Sequence, residues 1–163
     1  RDLSYDDHIN NKNRQKLAWG AQATTLMTFG NFQFRGQYCI GEGIGSLFND
    51  ISNVGVDIVP NPHDAGRMAM LLTDGWYAGV QYNFTSRLFA SATYSQTVVH
   101  SKHGYGGANP DAYKRGQYVV ANVCYNLTPS IQLGAEYLHG WRTDFESDTN
   151  NANRVNLSAQ FNF

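Results

Sequence analysis

Apolar and polar residues alternate one by one along much of this chain. Over residues 155–163 every odd position is apolar and every even position is Asn, Ser or Gln. Successive side chains of a strand point to opposite faces, so this period of two predicts a strand with one apolar face. The same alternation, less regular in places, predicts further strands at residues 17–24, 32–40, 76–84, 88–99, 117–127 and 131–137, with the end of an eighth at residues 1–6.

The segments between these strands alternate in length. Tight turns are predicted at residues 29–31, 85–87 and 128–130, and longer loops at residues 7–13, 41–67, 100–113 and 142–153. Short turns at one rim and long loops at the other are typical of outer-membrane β-barrels. We find no linker or domain boundary, so residues 1–163 are expected to belong to one domain.

The two faces of the predicted strands differ in a way that favours a membrane. The polar face carries mainly Gln, Asn, Ser, Thr and Gly, and charged residues make up 15% of the chain, against about 25% in a typical soluble domain. On the apolar face, aromatic residues lie near both strand ends and small residues between them, as in the two aromatic girdles of a membrane barrel. We therefore expect an all-β, antiparallel transmembrane barrel. A soluble sandwich or lipocalin-like barrel is the alternative fold.

The overall composition narrows the possible functions. Lys and Arg total 12 against 13 Asp and Glu, so nothing indicates a nucleic-acid partner. Cys39 and Cys124 fall on strands three apart and are predicted to be free thiols. The histidines make a poor metal-ligand set, and no cofactor is expected. His100 beside Ser101 could suggest nucleophilic catalysis, but no carboxylate is evident in the sequence to orient the imidazole, so we predict that the protein is not an enzyme.

The number of strands leaves two possibilities for the barrel. An eight-stranded barrel would have an interior filled by side chains and would not conduct. Against it, the first strand has about six residues where 9–11 are needed to span the bilayer. Glycines on the predicted inner face, such as Gly79 and Gly134, would also leave so narrow an interior underpacked.

Four segments, at residues 41–45, 75–82, 134–142 and 152–163, resemble the closing half of a DcaP-like porin. The resemblance implies a sixteen-stranded, homotrimeric channel of the bacterial outer membrane, with residues 1–163 as the C-terminal half of its barrel domain. It also implies uptake of dicarboxylates or aromatic acids. The bilayer and its lipopolysaccharide would then be partners. The terminal Phe163 resembles the signal read by the outer-membrane insertion machinery.

Strand parity points a set of charged and polar residues to the inner face. We predict that they line the pore and contact solute: Arg14, Lys16, Arg35, Gln37, Lys114, Glu136, Arg142 and Arg154. Six basic groups against one acidic group would concentrate anions, and an arginine fork binds a carboxylate in a bidentate manner. Alternatively, Arg35 pairs with Glu136 and the others are solvated rim charges. The sequence thus predicts passive diffusion of small anions, or, as the second hypothesis, a small non-conducting barrel with structural or adhesive loops.

Overall fold

The computed structural model describes residues 1–162 and consists almost entirely of strands. In chain order they are β1 (Asp2–Asp7), β2 (Lys12–Leu17), β3 (Trp19–Phe29), β4 (Phe32–Glu42), β5 (Ile58–Pro60), β6 (Met68–Met70), β7 (Leu72–Asn83), β8 (Leu88–Val99), β9 (Tyr113–Thr128), β10 (Ile131–Asp144) and β11 (Thr149–Phe161). A single 3₁₀ turn lies at Gly45–Leu47, and a one-turn helix, α1, at Tyr105–Ala108. Of the described helices, none is long and apolar enough to cross a membrane.

Seven of these strands form one antiparallel sheet in the order β3, β4, β7, β8, β9, β10, β11. Tight turns join β3 to β4, β7 to β8 and β9 to β10, and connections at the other rim join the remaining neighbours. At the β3–β4 turn, Gly30 adopts a positive φ of 56°, which glycine does at no steric cost. The sheet is open, with β3 and β11 as its edges.

The predicted strands are confirmed, with differences in extent at the long-loop rim. Residues 88–99 are a strand as predicted, whereas β9, β10 and β11 extend several residues beyond the predicted segments. The predicted loop at 142–153 is therefore wrong in length, because β10 and β11 remain paired as far as Thr143 and Thr149. The expected eighth strand is not part of the large sheet. Instead, β1 pairs with β2 in a separate hairpin that precedes β3.

Residues 43–71, here called the infolded segment, fold back over one face of the large sheet. Within it, β5 and β6 form a short hairpin. Its apolar residues supply most of the buried core, which also includes one residue from each of β8 and β9: Ile51, Val56, Val59, Ala69, Leu71, Val99 and Tyr113. Phe48, Tyr105 and Phe145 pack around this cluster from three connecting segments. Three connecting segments at the same rim thus share one hydrophobic core.

Candidate functional site: the polar face of the sheet

The pairing register places the polar residues of six strands in continuous rows on one face of the sheet. One row contains only amide, hydroxyl and carboxylate side chains: Gln33, Gln81, Ser91, Asn122, Glu136 and Asn156. Its members bond to each other, Ser91 donating to Asn122 (2.9 Å) and Asn156 donating to Glu136 (2.8 Å). This face, called the polar face below, is thus a hydrogen-bonding surface.

The adjacent row contains two of the predicted arginines. Across the sheet it contains Leu26, Arg35, Gly79, Thr93, Val120, Leu138 and Arg154. Arg35 donates to Gln33 (3.1 Å), and Arg154 donates to Asn156 (2.7 Å). The alternative pairing of Arg35 with Glu136 is wrong, because four strand spacings of about 4.8 Å separate β4 from β10. Both guanidinium groups therefore bond to neutral amides and keep their charge available.

A cleft of about 190 Å³ opens beside Arg35. Glutamine, serine and threonine side chains surround it at the point where β7 contributes Gly79 instead of a side chain. A Cβ atom at position 79 would lie 2.6 Å from Thr93 Oγ1, so only glycine leaves this space open. The cleft provides a guanidinium group and several hydroxyl and amide groups within a small volume.

Nearer the long-loop rim, the infolded segment meets the polar face. Phe48 packs against Gly75 of β7, where a Cβ atom would lie 2.6 Å from the phenyl ring. Asp50, two residues after Phe48, faces the hydroxyls of Tyr118 and Thr97. Nearby protein atoms shield its carboxylate from water and raise its pKa, while the two hydroxyls act in the opposite direction. An acidic group from a loop is thus directed at the polar face.

The structure places the remaining predicted site residues in different surroundings. Gln37 lies on the polar face in the cleft beside Asp50, and Arg142 lies on that face at the rim end of β10. Arg14 and Lys16 lie on β2, outside the large sheet, and Arg14 Nε bonds Asp7 at 2.7 Å. Lys114 falls in a β-bulge, where β9 has one residue more than β10. The role of all these residues as solute contacts stays a prediction.

The cluster around His100 and Ser101 differs from the sequence expectation. Asp74 on β7 pairs with His100 Nε2, so a carboxylate does orient this imidazole. Ser101 Oγ instead accepts the backbone N–H of Gly106 (2.8 Å), in the turn that starts α1. Beside this pair, Lys102 bonds Glu42 at 2.6 Å. These contacts tie the β8–β9 loop to the ends of β4 and β7.

The opposite face of the sheet is apolar and largely exposed. Phe32, Tyr82 and Phe84 form an aromatic group near the tight turns, with ring centroids 4.6 and 4.9 Å apart. Trp76 and Tyr94 form a second group farther along the strands, at 5.2 Å. A soluble protein rarely exposes such a continuous apolar surface, whereas a bilayer covers it between two girdles of this kind.

An antiparallel sheet with an apolar outer face, a hydrogen-bonding inner face and long loops at one rim is the wall of a transmembrane β-barrel. No model of a known protein family matches the sequence, and no curated protein matches it. Among solved structures, the fold is similar to that of the outer membrane channel DcaP of Acinetobacter baumannii, with a TM-score of 0.78 and 20% identity. The similarity covers 96% of this chain and 43% of that channel, so the chain spans less than half of its length. The antiparallel, porin-like fold expected from the sequence is thus confirmed, while sixteen strands and a trimer stay predictions.

Asp50 and Tyr118 were not predicted as site residues. Asp50 lies in a segment for which the sequence predicts only a long polar loop. The direction of its side chain depends on the hydrophobic core that three connecting segments form together. The position of Tyr118 in its strand places it on the polar face. Alternation does not reveal that its ring lies against Gly140 while its hydroxyl faces Asp50. Strand parity identifies wall residues and gives no information about what a loop places against them.

Proposed function

We propose that this protein is an outer-membrane channel that lets small hydrophilic solutes diffuse passively, with a preference for anions. The observation that carries the proposal is the contrast between the sheet faces. One face exposes aromatic and aliphatic groups, and the other carries amides, hydroxyls and guanidinium groups. Such a sheet separates lipid from water, and its polar groups can bond to water and to solute. No catalytic step is part of this function.

The same proposal includes the surroundings of the channel. The fold supports a place in the bacterial outer membrane, with lipid and lipopolysaccharide against the apolar face. The free edges of β3 and β11 must pair within the bilayer, because unpaired backbone groups cost several kcal/mol each in hydrocarbon. Residues 1–163 then form the C-terminal half of a sixteen-stranded barrel that assembles as a homotrimer, and the insertion machinery recognises the chain at Phe163. That residue lies outside the described part of the chain.

The preference for anions follows from the charges that remain on the polar face. Arg35, Arg142 and Arg154 lie there, and Glu136 is the acidic residue that the strands contribute. With Asp50 of the infolded segment included, three guanidinium groups stand against two carboxylates. The pairing of Arg14 with Asp7 removes that arginine from the balance. The excess of positive charge is small, so we expect a moderate preference for anions over cations. Charged groups in a narrow cleft focus the electric field and so raise the local concentration of anions.

Planar-bilayer recording tests this proposal. The reconstituted full-length protein should give stable conductance steps, and a reversal potential in a KCl gradient should show preference for chloride. Arg35→Gln and Arg154→Gln should each shift that potential towards potassium. Arg115→Gln is the matched control, because Arg115 lies on β9 opposite outward-facing Val98 and Thr143. Equal shifts from all three variants, or cation preference in the unaltered protein, would contradict the proposed selectivity.

One observation favours the second hypothesis, a barrel that does not conduct. The infolded segment has a hydrophobic core of its own and covers part of the polar face near the rim. If it closed the lumen, the long loops would serve structure or adhesion, and the recordings would show no steps. Against this hypothesis, the cleft beside Arg35 stays open, as does a second cleft of about 230 Å³ on the same face beside Gly140.

A further inference from the structure

Groups of opposite charge lie on either side of Tyr118, near the rim of the polar face. The Tyr118 hydroxyl faces Asp50 of the infolded segment. Its ring lies over Gly140 of β10, where a Cβ atom would be 2.9 Å from ring carbons. Arg142 follows two residues along the same strand, on the same face. Tyr118 thus separates an acidic cleft from a basic one.

The acidic cleft has the chemistry of an ammonium site. It encloses about 160 Å³ and is lined by oxygen-bearing side chains of the infolded segment and of the wall, among them Asp50, Asn49, Gln37, Ser95 and Thr97. Across residues 1–162 we find no salt bridge to Asp50. A carboxylate without a counter-ion, surrounded by hydroxyl and amide oxygens, attracts a cationic group that donates several hydrogen bonds.

The basic cleft has the chemistry of a carboxylate site with an apolar floor. It encloses about 230 Å³, and Leu138, Gly140 and Ala152 line it together with Tyr118, Arg142 and Asn150. Arg142 lies 5.8 Å from the centroid of the Tyr113 ring and makes a long contact (3.4 Å) with the Asp111 carbonyl. In the described part of the chain no carboxylate neutralises it, so its planar fork is available for a carboxylate ligand.

We propose that the two clefts form one binding site for small zwitterions, which places the ammonium at Asp50 and the carboxylate at Arg142. This site rests on the proposed channel function. It adds zwitterions to the solutes of the channel, which a preference for anions alone would not include. Thr97 and Arg142 belong to one row and are two strand spacings, or about 10 Å, apart. The two clefts lie on either side of Tyr118, so charges separated by a short methylene chain should fit better than the adjacent charges of an α-amino acid.

Three solutes with the same four-carbon length test this site. Succinate carries two carboxylates, 4-aminobutyrate one carboxylate and one ammonium, and 1,4-diaminobutane two ammonium groups. Each is titrated against single-channel current, and the blocking Kd is measured. In the unaltered protein, 4-aminobutyrate should bind tightest, because it alone matches both clefts.

Variants then assign each end of the solute. Asp50→Asn should weaken 4-aminobutyrate about tenfold, the loss expected for one charge-assisted hydrogen bond, without weakening succinate. Arg142→Gln should weaken both 4-aminobutyrate and succinate, and leave diaminobutane unweakened. Asp64→Asn and Arg115→Gln are the matched controls, since Asp64 is an exposed acid of the same segment and Arg115 lies on the opposite face. Neither control should change the order of the three solutes.

Two results would overturn the site: succinate blocking as tightly as 4-aminobutyrate, or Asp50→Asn changing all three solutes by the same factor. Isothermal titration of the same solutes into detergent-solubilised protein makes the comparison without any current. Absence of conductance would refute the channel function, and the titrations would still decide whether the zwitterion site exists. Steady conductance without 4-aminobutyrate preference would refute the site and leave the channel function standing.

Discussion

The infolded segment is held against the polar face by its apolar core, and truncation of Ile51 tests this directly. Ile51 is fully buried, with 0% of its surface exposed. Ile51→Ala removes three carbon atoms, which costs about 2.4 kcal/mol at about 0.8 kcal/mol for each buried methylene. The residual cavity adds to this value, and Ile→Ala changes in protein cores cost about 2–5 kcal/mol in all. Only Val99 and Tyr113 of the large sheet belong to this core, so most of the loss should fall on the docking of the segment.

Trypsin provides the assay, because Arg67 lies exposed in the turn before β6. When the segment opens and recloses faster than the protease cuts, the cleavage rate follows the population of the open form. A loss of 2.4 kcal/mol raises that population about 60-fold, since about 1.36 kcal/mol corresponds to a factor of ten. The first-order rate of cleavage after Arg67 in Ile51→Ala should therefore rise by about that factor. The barrel itself should stay folded, which unchanged electrophoretic mobility of unheated samples would show.

Leu47→Ala is the control, because Leu47 belongs to the same segment and is 71% exposed. Its cleavage rate should stay within about twofold of the unaltered protein, as expected for surface changes of up to 0.5 kcal/mol. If Ile51→Ala and Leu47→Ala are cut at the same rate, the segment is not held by its apolar core, and the reasoning fails.

Three further predictions follow from particular contacts. Thr73→Val should stabilise the protein by about 1 kcal/mol in urea unfolding, because Thr73 Oγ1 is buried and has no hydrogen-bond partner in the described chain. Gly75→Ala should displace the Phe48 ring and speed cleavage after Arg67, through overpacking of about 1–3 kcal/mol. Hydrogen bonds from Asn10 and Arg14 hold the pKa of the Asp7 carboxyl far below its usual range. Its stabilisation is therefore complete above pH about 4 and is lost as the pH falls further, so hydrogen exchange of β1 and β2 should show excess opening only in strong acid.

The large sheet could be predicted from the sequence because each of its strands has one apolar and one polar face. These faces appear in the sequence as an alternation of apolar and polar residues. Residues 155–163 give this signal most clearly, since lipid on one side and water on the other select opposite residue types. Strand ends at the rim were predicted less well. Residues 150–153 read Asn-Asn-Ala-Asn, a typical loop composition, yet they pair with β10 because the adjacent ladder continues. Local propensity yields to an existing pairing partner.

The candidate site could be predicted only as far as strand parity reaches. Arg35, Glu136 and Arg154 lie on the polar face, as their positions in alternating segments indicate. Asp50 could not be placed, because the path of residues 43–71 depends on contacts among Ile51, Val99 and other residues distant in sequence. No local pattern encodes such a path. The pairing of Asp74 with His100 was missed for another reason, because it depends on the register of β7 and β8, in which Thr73 lies opposite Val99.

This division between wall and loop bears on how selectivity could arise in such a channel. The wall arginines stand on strands that a ladder of backbone hydrogen bonds holds in register, so the spacing between them is set by the sheet. Asp50 is held instead by a small core that takes only Val99 and Tyr113 from the strands of the wall, and its own side chain is not part of that core. Substitutions in residues 43–71 can therefore alter the charge opposite Arg142 while the barrel keeps its fold. The zwitterion site then predicts that exchange of the polar residues at positions 49 and 50, with the buried apolar residues of the segment kept, changes solute preference at constant thermal stability of the sheet.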